Sequence, residues 1–219
     1  ITKKLAIKQG AMQQLLTGKK RLPGFVGEWG EKEIGELASL QKGSVCPYLN
    51  PQGDYVEYSM PAFDNCARPS YCKGETMNSS RTIISGDVLL INKLNVRQRR
   101  IWLVCAKDNN SVCSGEFLPF ESTKCNLNYI RQLLLSDNVV KEWNDNSTGT
   151  SNSQKRITPS YVLSYKLFIP QDIAEQSAIA KILDDMDKEI SSIEDQRLKI
   201  VSLKQGMMQK LLTGQIRLI

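Results

Sequence analysis

The phrase that opens this chain also closes it. Lys8-Gln9-Gly10-Ala11-Met12-Gln13-Gln14-Leu15-Leu16-Thr17-Gly18-Lys19-Lys20-Arg21-Leu22 returns as Lys204-Gln205-Gly206-Met207-Met208-Gln209-Lys210-Leu211-Leu212-Thr213-Gly214-Gln215-Ile216-Arg217-Leu218, at a constant offset of 204 − 8 = 196. Eleven of the fifteen aligned pairs are identical, which chance does not produce. The offset far exceeds the roughly 20–50 residues of a stacked repeat. The repeated unit is therefore a whole domain plus its connector. We read a parent architecture of domain–helix–domain–helix, of which this chain would hold the tail of one connector and then one complete domain–connector unit.

The connector has a pattern of its own. Asp172 is an N-cap candidate, with Glu175 placed three residues on for a capping box. Positions 179, 183, 186, 190, 193, 197, 200, 204, 207 and 211 then alternate steps of four and three. Eight of the ten are apolar: Ile179, Leu183, Met186, Ile190, Ile193, Ile200, Met207 and Leu211. A 3.5-residue period specifies a coiled-coil seam rather than a generic surface helix. A helix over 173–213 runs about 60 Å at ~1.5 Å per residue, with Gly214 as its stop. It cannot bury such a seam against itself and needs a partner helix. The N-terminal stretch 1–17 reads as the end of an equivalent helix, stopped by Gly18, with Lys19, Lys20 and Arg21 complementing its dipole. It should pack beside the C-terminal helix, with Lys19–Arg21 touching either DNA or the acidic 184–195 stretch.

Between the helices, residues 25–170 form a unit of common domain size, with a core to match. The divisions expected are 1–24 for the preceding helix end and its basic turn, 25–170 for the domain, and 171–219 for the spacer helix. Residues 41–80 are rich in Gly, Pro, Asn and Ser, as short strands and long loops require. Val88–Ile91 and Ile101–Cys105 are buried-strand runs. Phe117–Phe120 reads as a strand interrupted by Pro119, Tyr129–Trp143 has helical spacing, and Tyr161–Ile169 reads as a last strand. The fold class is α+β: a mixed globular domain of short strands, followed by a long coiled-coil-forming helix.

The chain has no histidine, which excludes Ser-His-Asp and Cys-His nucleophile systems and any mixed Cys/His zinc site. Its six cysteines show no CxxC spacing and read as reduced thiols. There is no Walker A loop or GxGxxG fingerprint. The acidic pairs Asp184-Asp185 and Glu194-Asp195 read as solvated helix faces. No catalytic or metal-binding residues are expected, and no apolar run near 18 residues suggests a membrane span. The expected compartment is the cytoplasm. What is left is a binding module on a rigid spacer.

The net charge of +6 resides almost wholly in residues 1–25, which carry six Lys/Arg and no acid. Residues 26–170 carry 16 Lys/Arg against 15 Asp/Glu, a net of +1. A DNA-binding face must therefore come from local clustering. Three clusters present themselves. The first is Lys93, Arg97, Arg99 and Arg100 between two strands, where arginine can bridge guanine or clamp phosphate. The second is the basic–aromatic loop with Arg68, Tyr71 and Lys73. The third is Gln154, Lys155 and Arg156 after a polar loop. Each can equally be a solvated loop.

Four features together resemble the specificity subunit of type I restriction–modification systems. They are Gly27-Glu28-Trp29; the Gly86-Asp87-Val88-Leu89 turn and strand; a strand running into Ile169-Pro170-Gln171-Asp172-Ile173-Ala174-Glu175-Gln176-Ser177-Ala178-Ile179; and a helix ending in Lys204–Gly214. The family's Pro-Pro-Leu-x-Glu-Gln-x-x-Ile segment is matched here at Glu175, Gln176 and Ile179. Ile173 stands in for the Leu, and Gln171 and Asp172 replace the two prolines, with Pro170 one position early.

The resemblance implies that residues 25–170 are a target recognition domain and 171–214 a spacer helix. It implies no cofactor on this chain. S-adenosylmethionine, ATP and Mg belong to partner methylation and restriction subunits. Double-stranded DNA and those two subunits are the partners implied. The family subunit carries two recognition domains and this chain one. It would be a half-length form, homodimeric through its long helix, or a piece of a longer protein. A scaffold or decoy that binds the methylation subunit without reading DNA is the alternative. A self-contained adenine methyltransferase is disfavoured, because the chain lacks an Asn/Asp-Pro-Pro-aromatic motif.

Overall fold

A computed structural model describes residues 1–149 and 154–213. Eleven strands and seven α-helices occur in it. The chain begins with α1 (Thr2–Leu15), then β1 (Trp29–Glu33), α2 (Ile34–Leu37), β2 (Ser39–Leu40), β3 (Ser44–Val45), β4 (Asp54–Tyr58), α3 (Met60–Asp64) and β5 (Ser70–Lys73). It continues through β6 (Arg81–Ile83), β7 (Gly86–Asn92), β8 (Ile101–Ala106), β9 (Ser111–Ser114) and β10 (Phe117–Glu121). Then come α4 (Leu127–Leu134), α5 (Asp137–Asp145), α6 (Pro159–Ser164), β11 (Lys166–Pro170) and the long α7 (Ile173–Leu212).

A four-stranded antiparallel sheet, in the order β2-β10-β7-β8, forms the middle layer. Its central strand β7 is apolar at every position from Val88 to Ile91 because both faces are covered. Leu89 and Ile91 enter a core shared with α1, α4 and α7, while Val88 and Leu90 enter a second core. That second core is closed by Val56, Tyr58 and Cys113 from a five-stranded sheet, in the order β3-β6-β9-β4-β5. Period-2 alternation into two cores explains a continuous apolar run in an antiparallel strand. Pro119 sits inside β10, where its carbonyl accepts from the Gln41 amide at 2.8 Å.

The strands that open and close the globular part lie side by side. β1 pairs antiparallel with β11 from Trp29↔Pro170 to Glu33↔Lys166. This clasp brings both ends of the domain to the root of α7. The expected strand over Tyr161–Ile169 is only half strand. Thr158 Oγ1 accepts from the Tyr161 amide at 3.3 Å and Pro159 takes the first helical position, so 159–164 coil into α6 before β11 begins. The helical spacing of 129–143 resolves into α4 and α5, broken at Leu135-Ser136, where Ser136 is extended.

α1 runs antiparallel along the first half of α7, with Lys8 on Asp187, Lys4 on Glu189 at 2.6 Å, and Leu15 and Leu16 in the common core. Gly18 takes φ +70°, and the Trp29 ring lies 3.3 Å from where a β-carbon would stand. The left-handed backbone favours glycine there, and any side chain would also press on the ring. Asp172 caps α7 by accepting from the Ala174 amide at 2.8 Å. Glu175 does not complete the capping box, because its carboxylate is buried and taken by Arg21. Gly214 lies outside the described residues. Among those described, no helix is long and apolar enough to cross a membrane, and no cluster of Cys, Asp and Glu is placed to hold a metal ion.

Candidate nucleic-acid interface

The segment between β7 and β8 is a tight basic turn. Residues 96–98 form one turn of 3₁₀ helix, with Val96 buried as its anchor and Arg97 and Gln98 exposed. Asn95 and Arg99, on either side, are both left-handed at φ 52°. The segment 154–157 lies alongside. Asn95 donates its amide to the Lys155 carbonyl at 2.8 Å, and Ile157 donates to the Lys93 carbonyl at 3.0 Å. On the other side, Arg100 reaches Asp64 at the end of α3 through two 2.8 Å bonds, Nε to Oδ1 and Nη2 to Oδ2. Arg68 follows directly, with Tyr71 on the edge strand β5, 80% exposed. Segments 93–100 and 154–157 thus lie side by side, and the Arg100–Asp64 bonds tie the first of them to the loop that carries Arg68. Lys73 is the exception: it sits at the far end of β5, paired with Asp54 at 2.7 Å.

The candidates divide by what holds them. Arg99 bonds Asp137 and the Leu135 carbonyl, Arg100 bonds Asp64, and Arg156 bonds Glu116 at 3.0 Å. The bond from Arg100 holds the Asp64 carboxyl below its ordinary range, and the bond from Arg99 does the same for Asp137. Arg68, Lys93, Arg97 and Lys155 carry no ion pair among the described residues, and Arg68, Arg97 and Gln154 are exposed. Sequence shows the charges but not their pairing. It saw the cations without Asp64, Glu116 and Asp137, whose neighbourhood only folding creates.

Backbone strain concentrates here too. Among the described residues, the non-glycine residues with positive φ are Cys66, Ala67, Asn95 and Arg99. All four lie in the two loops that Arg100–Asp64 joins. Such conformations cost of order 1–3 kcal/mol each and gather where a loop must hold a particular shape.

The root of α7 is the second well-built site, and its residues are those of the matched motif. Glu175, 0% exposed, accepts Arg21 Nε at 2.6 Å and Nη2 at 2.7 Å. Arg21 also donates to the Gly27 carbonyl at 2.9 Å and stacks over Trp29. Gln176 accepts from the Asn126 amide at 2.8 Å and donates to the Pro170 carbonyl at 2.8 Å. One side chain so ties the start of α4 to the end of β11. Ile179 is core. Asp184 is not a solvated carboxylate: Asn128 and Gln132 from α4 donate to it, and Gln132 also reaches Asp187 at 3.1 Å. Arg21 touches neither the 184–195 stretch nor open solvent alone; it is fixed to Glu175.

This architecture has known counterparts. A family described as "Type I restriction modification DNA specificity domain" matches residues 27–202. The fold is similar to that of the HsdS subunit from Thermoanaerobacter tengcongensis, at 20% identity and a TM-score of 0.62 over 87% of this chain and 49% of that one. A structure reported under "Structural basis underlying complex assembly and conformational transition of the type I R-M system" is similar at 18% identity and TM-score 0.67, over 90% of this chain and 51% of that one. The type I restriction–modification S subunit from M. genitalium is similar at 15% identity and TM-score 0.54, over 88% and 47%. The chain spans about half the length of each. From the family match over most of its length, and a fold shared with S subunits, this chain belongs to the type I restriction–modification DNA specificity family.

Proposed function

We propose that this chain is a non-catalytic specificity component that reads one half of a bipartite DNA target in a cytoplasmic type I restriction–modification complex. Residues 25–170 are the reading unit, and 171–213 the coiled-coil spacer that pairs with a second copy. The observation that carries the reading is that basic segments 93–100 and 154–157 lie side by side, with Arg100 tied to the Asp64 loop that leads to Arg68, and with strained backbone in both loops. Arg97, Arg68, Lys93, Lys155 and Tyr71 face DNA, while Arg99, Arg100 and Arg156 shape the loops that present them. Two copies paired antiparallel give a two-fold symmetric interface and hence a palindromic split site. The methylation and restriction subunits dock on the helical part and bring the S-adenosylmethionine, ATP and Mg chemistry.

A second reading, a scaffold or decoy without DNA recognition, draws support from the near-neutral domain and its internally paired arginines. The double variant Arg68→Glu/Arg97→Glu separates the two. Neither side chain holds the fold, so the variant should assemble with the methylation subunit normally. Loss of site-specific methylation in the assembled complex supports DNA reading. Unchanged methylation at the same sites sinks it in favour of the scaffold.

A further inference from the structure

We infer that Gln9 and Asp137 are positioning residues for the basic turn between β7 and β8, and that through them the seating of α1 and the shape of that turn depend on each other. That the turn meets DNA rests on the function proposed above; the link between α1 and the turn does not.

The turn is closed by a residue in an uncommon conformation. Arg99 ends the 3₁₀ turn at φ 52° and ψ 35°, a left-handed backbone that arginine rarely adopts. Its amide donates to the Val96 carbonyl at 3.0 Å, and its carbonyl accepts from the Ile101 amide at 2.9 Å. The side chain adds an anchor outside the turn. Nη1 donates to the Leu135 carbonyl at 2.9 Å and Nη2 to Asp137 Oδ1, so one planar fork takes two acceptors at the α4–α5 corner. Arg97 stands exposed two residues before that anchor. A displacement of Arg99 therefore re-aims Arg97.

Asp137 is shared between two distant elements. It is the first residue of α5; Oδ1 is taken by Arg99, and Oδ2 by Gln9 of α1, 128 residues away in sequence. Both donors hold the carboxyl below its ordinary range, Arg99 foremost and Gln9 to a lesser degree. A carboxylate bonded on both oxygens cannot turn without breaking a bond, so Gln9 helps fix the plane in which Arg99 is received. Little else joins α1 to this corner. A cavity of about 420 Å³ opens between them, lined in part by Leu5, Met12, Gln13, Leu133 and Asn138. Among the described residues, the bond from Gln9 to Asp137 is the one hydrogen bond between α1 and α5. On its other side α1 is tied to α7 by Lys4–Glu189 and Lys8–Asp187. The chain of contacts thus runs from the spacer helix through α1, Gln9, Asp137 and Arg99 to the basic turn.

Such a coupling is reciprocal. Whatever orders the turn from outside strengthens the hold on α1, and whatever loosens α1 loosens the turn by the same factor. Gln9, Asp137 and Arg99 are all exposed, so the factor is that of exposed bonds, about two- to fivefold.

Amide hydrogen exchange of the full chain tests this. Gln9→Ala should speed exchange over residues 96–101 about two- to fivefold, and leave β10 and the thermal midpoint unchanged. Gln9→Lys, which keeps a donor facing Asp137, should exchange as the parent does. Gln14→Ala, at an exposed position elsewhere on α1, should change nothing. Unchanged exchange in Gln9→Ala, or equal acceleration in Gln14→Ala, overturns the inference. In the complex with the methylation subunit, Gln9→Ala should weaken binding to a duplex carrying the methylated sequence by the same factor. If Arg97→Glu weakens that binding and Gln9→Ala does not, the positioning role fails and the DNA reading stands. If exchange responds while neither variant alters binding, the link between α1 and the turn stands and the turn is not the DNA contact.

Discussion

The two halves of α7 carry the same kind of seam and meet opposite fates. Between Ile179 and Ile190 the seam positions pack against α1 and α4; Asn128 and Gln132 of α4 donate to Asp184, and Asp187 accepts from Lys8 of α1 and Gln132 of α4. Between Glu194 and Thr213 the stripe continues in solvent, interrupted at Arg197 and Lys204. The difference does not lie in the residues of α7; it lies in whether the same chain supplies the second helix. A heptad seam states that a partner exists and not which one it is. The basic side chains of the candidate interface divide in the same way: Arg99, Arg100 and Arg156 have acidic partners within the chain, while Arg97 and Arg68 have none among the described residues.

The sharpest way to break the comparison is to cut the seam on each side. Leu183→Ala removes a fully buried side chain and should cost about 3–5 kcal/mol in urea unfolding. Leu211→Ala should change the stability of the monomer by less than ~0.5 kcal/mol. Equal losses would mean that the far half is buried in the isolated chain.

Next in size is the ion pair at the root. Arg21→Ala strands a buried Glu175 carboxylate and should cost about 3 kcal/mol, at the lower end for a broken buried pair because Arg21 is partly exposed. The double variant Arg21→Ala/Glu175→Gln should recover most of that. Additive losses in the two single variants would show that the two groups act independently.

Among the cations, Arg97→Ala should weaken specific DNA binding by the assembled complex by about 1–3 kcal/mol at constant salt, without a change in thermal midpoint. Lys73→Ala, at the far end of β5, should leave binding within twofold. A reversal of that order would move the reading face to the other end of the five-stranded sheet.

The smallest effect is in acid. Asp64 and Asp137 have folded-state pKa values below the ordinary 3.8, the first mainly through Arg100 and the second mainly through Arg99. A depressed carboxylate contributes stability that is present above its unfolded pKa and lost as pH falls through the folded one. The contribution is therefore intact above about pH 4, and both groups are too exposed for it to be large. Asp64→Asn/Asp137→Asn should lower stability slightly at neutral pH, leave it unchanged once pH falls below the folded-state values, and so flatten the acid limb of a pH–stability curve. An equal loss at pH 7 and pH 3 would mean that the pairs act through shape rather than charge.

Much was legible before folding. The duplicated phrase implied a domain plus its connector, and the 3.5 period a long helix in need of a partner. The apolar runs at 88–91 and 101–105 are strands, because a period-2 chain buried on both faces must be apolar throughout. The single turn α6 was missed although Thr158-Pro159 announces a helix start; the apolar residues that follow masked it.

Other features depend on neighbours that sequence does not name. Glu175 stands at a capping-box position, yet its partner is Arg21, 154 residues away. Asp184 has the sequence context of a solvated carboxylate and lies under α4. Each basic cluster was visible as a run of charge. That two of them lie side by side, and that three of their five arginines are paired with carboxylates, follows from strand order and loop closure. Local rules decide periodicity, caps and stops, because those depend on neighbours along the chain. Which charges meet, and which half of one continuous seam finds cover, depends on distances across the fold, and only the tertiary structure sets those.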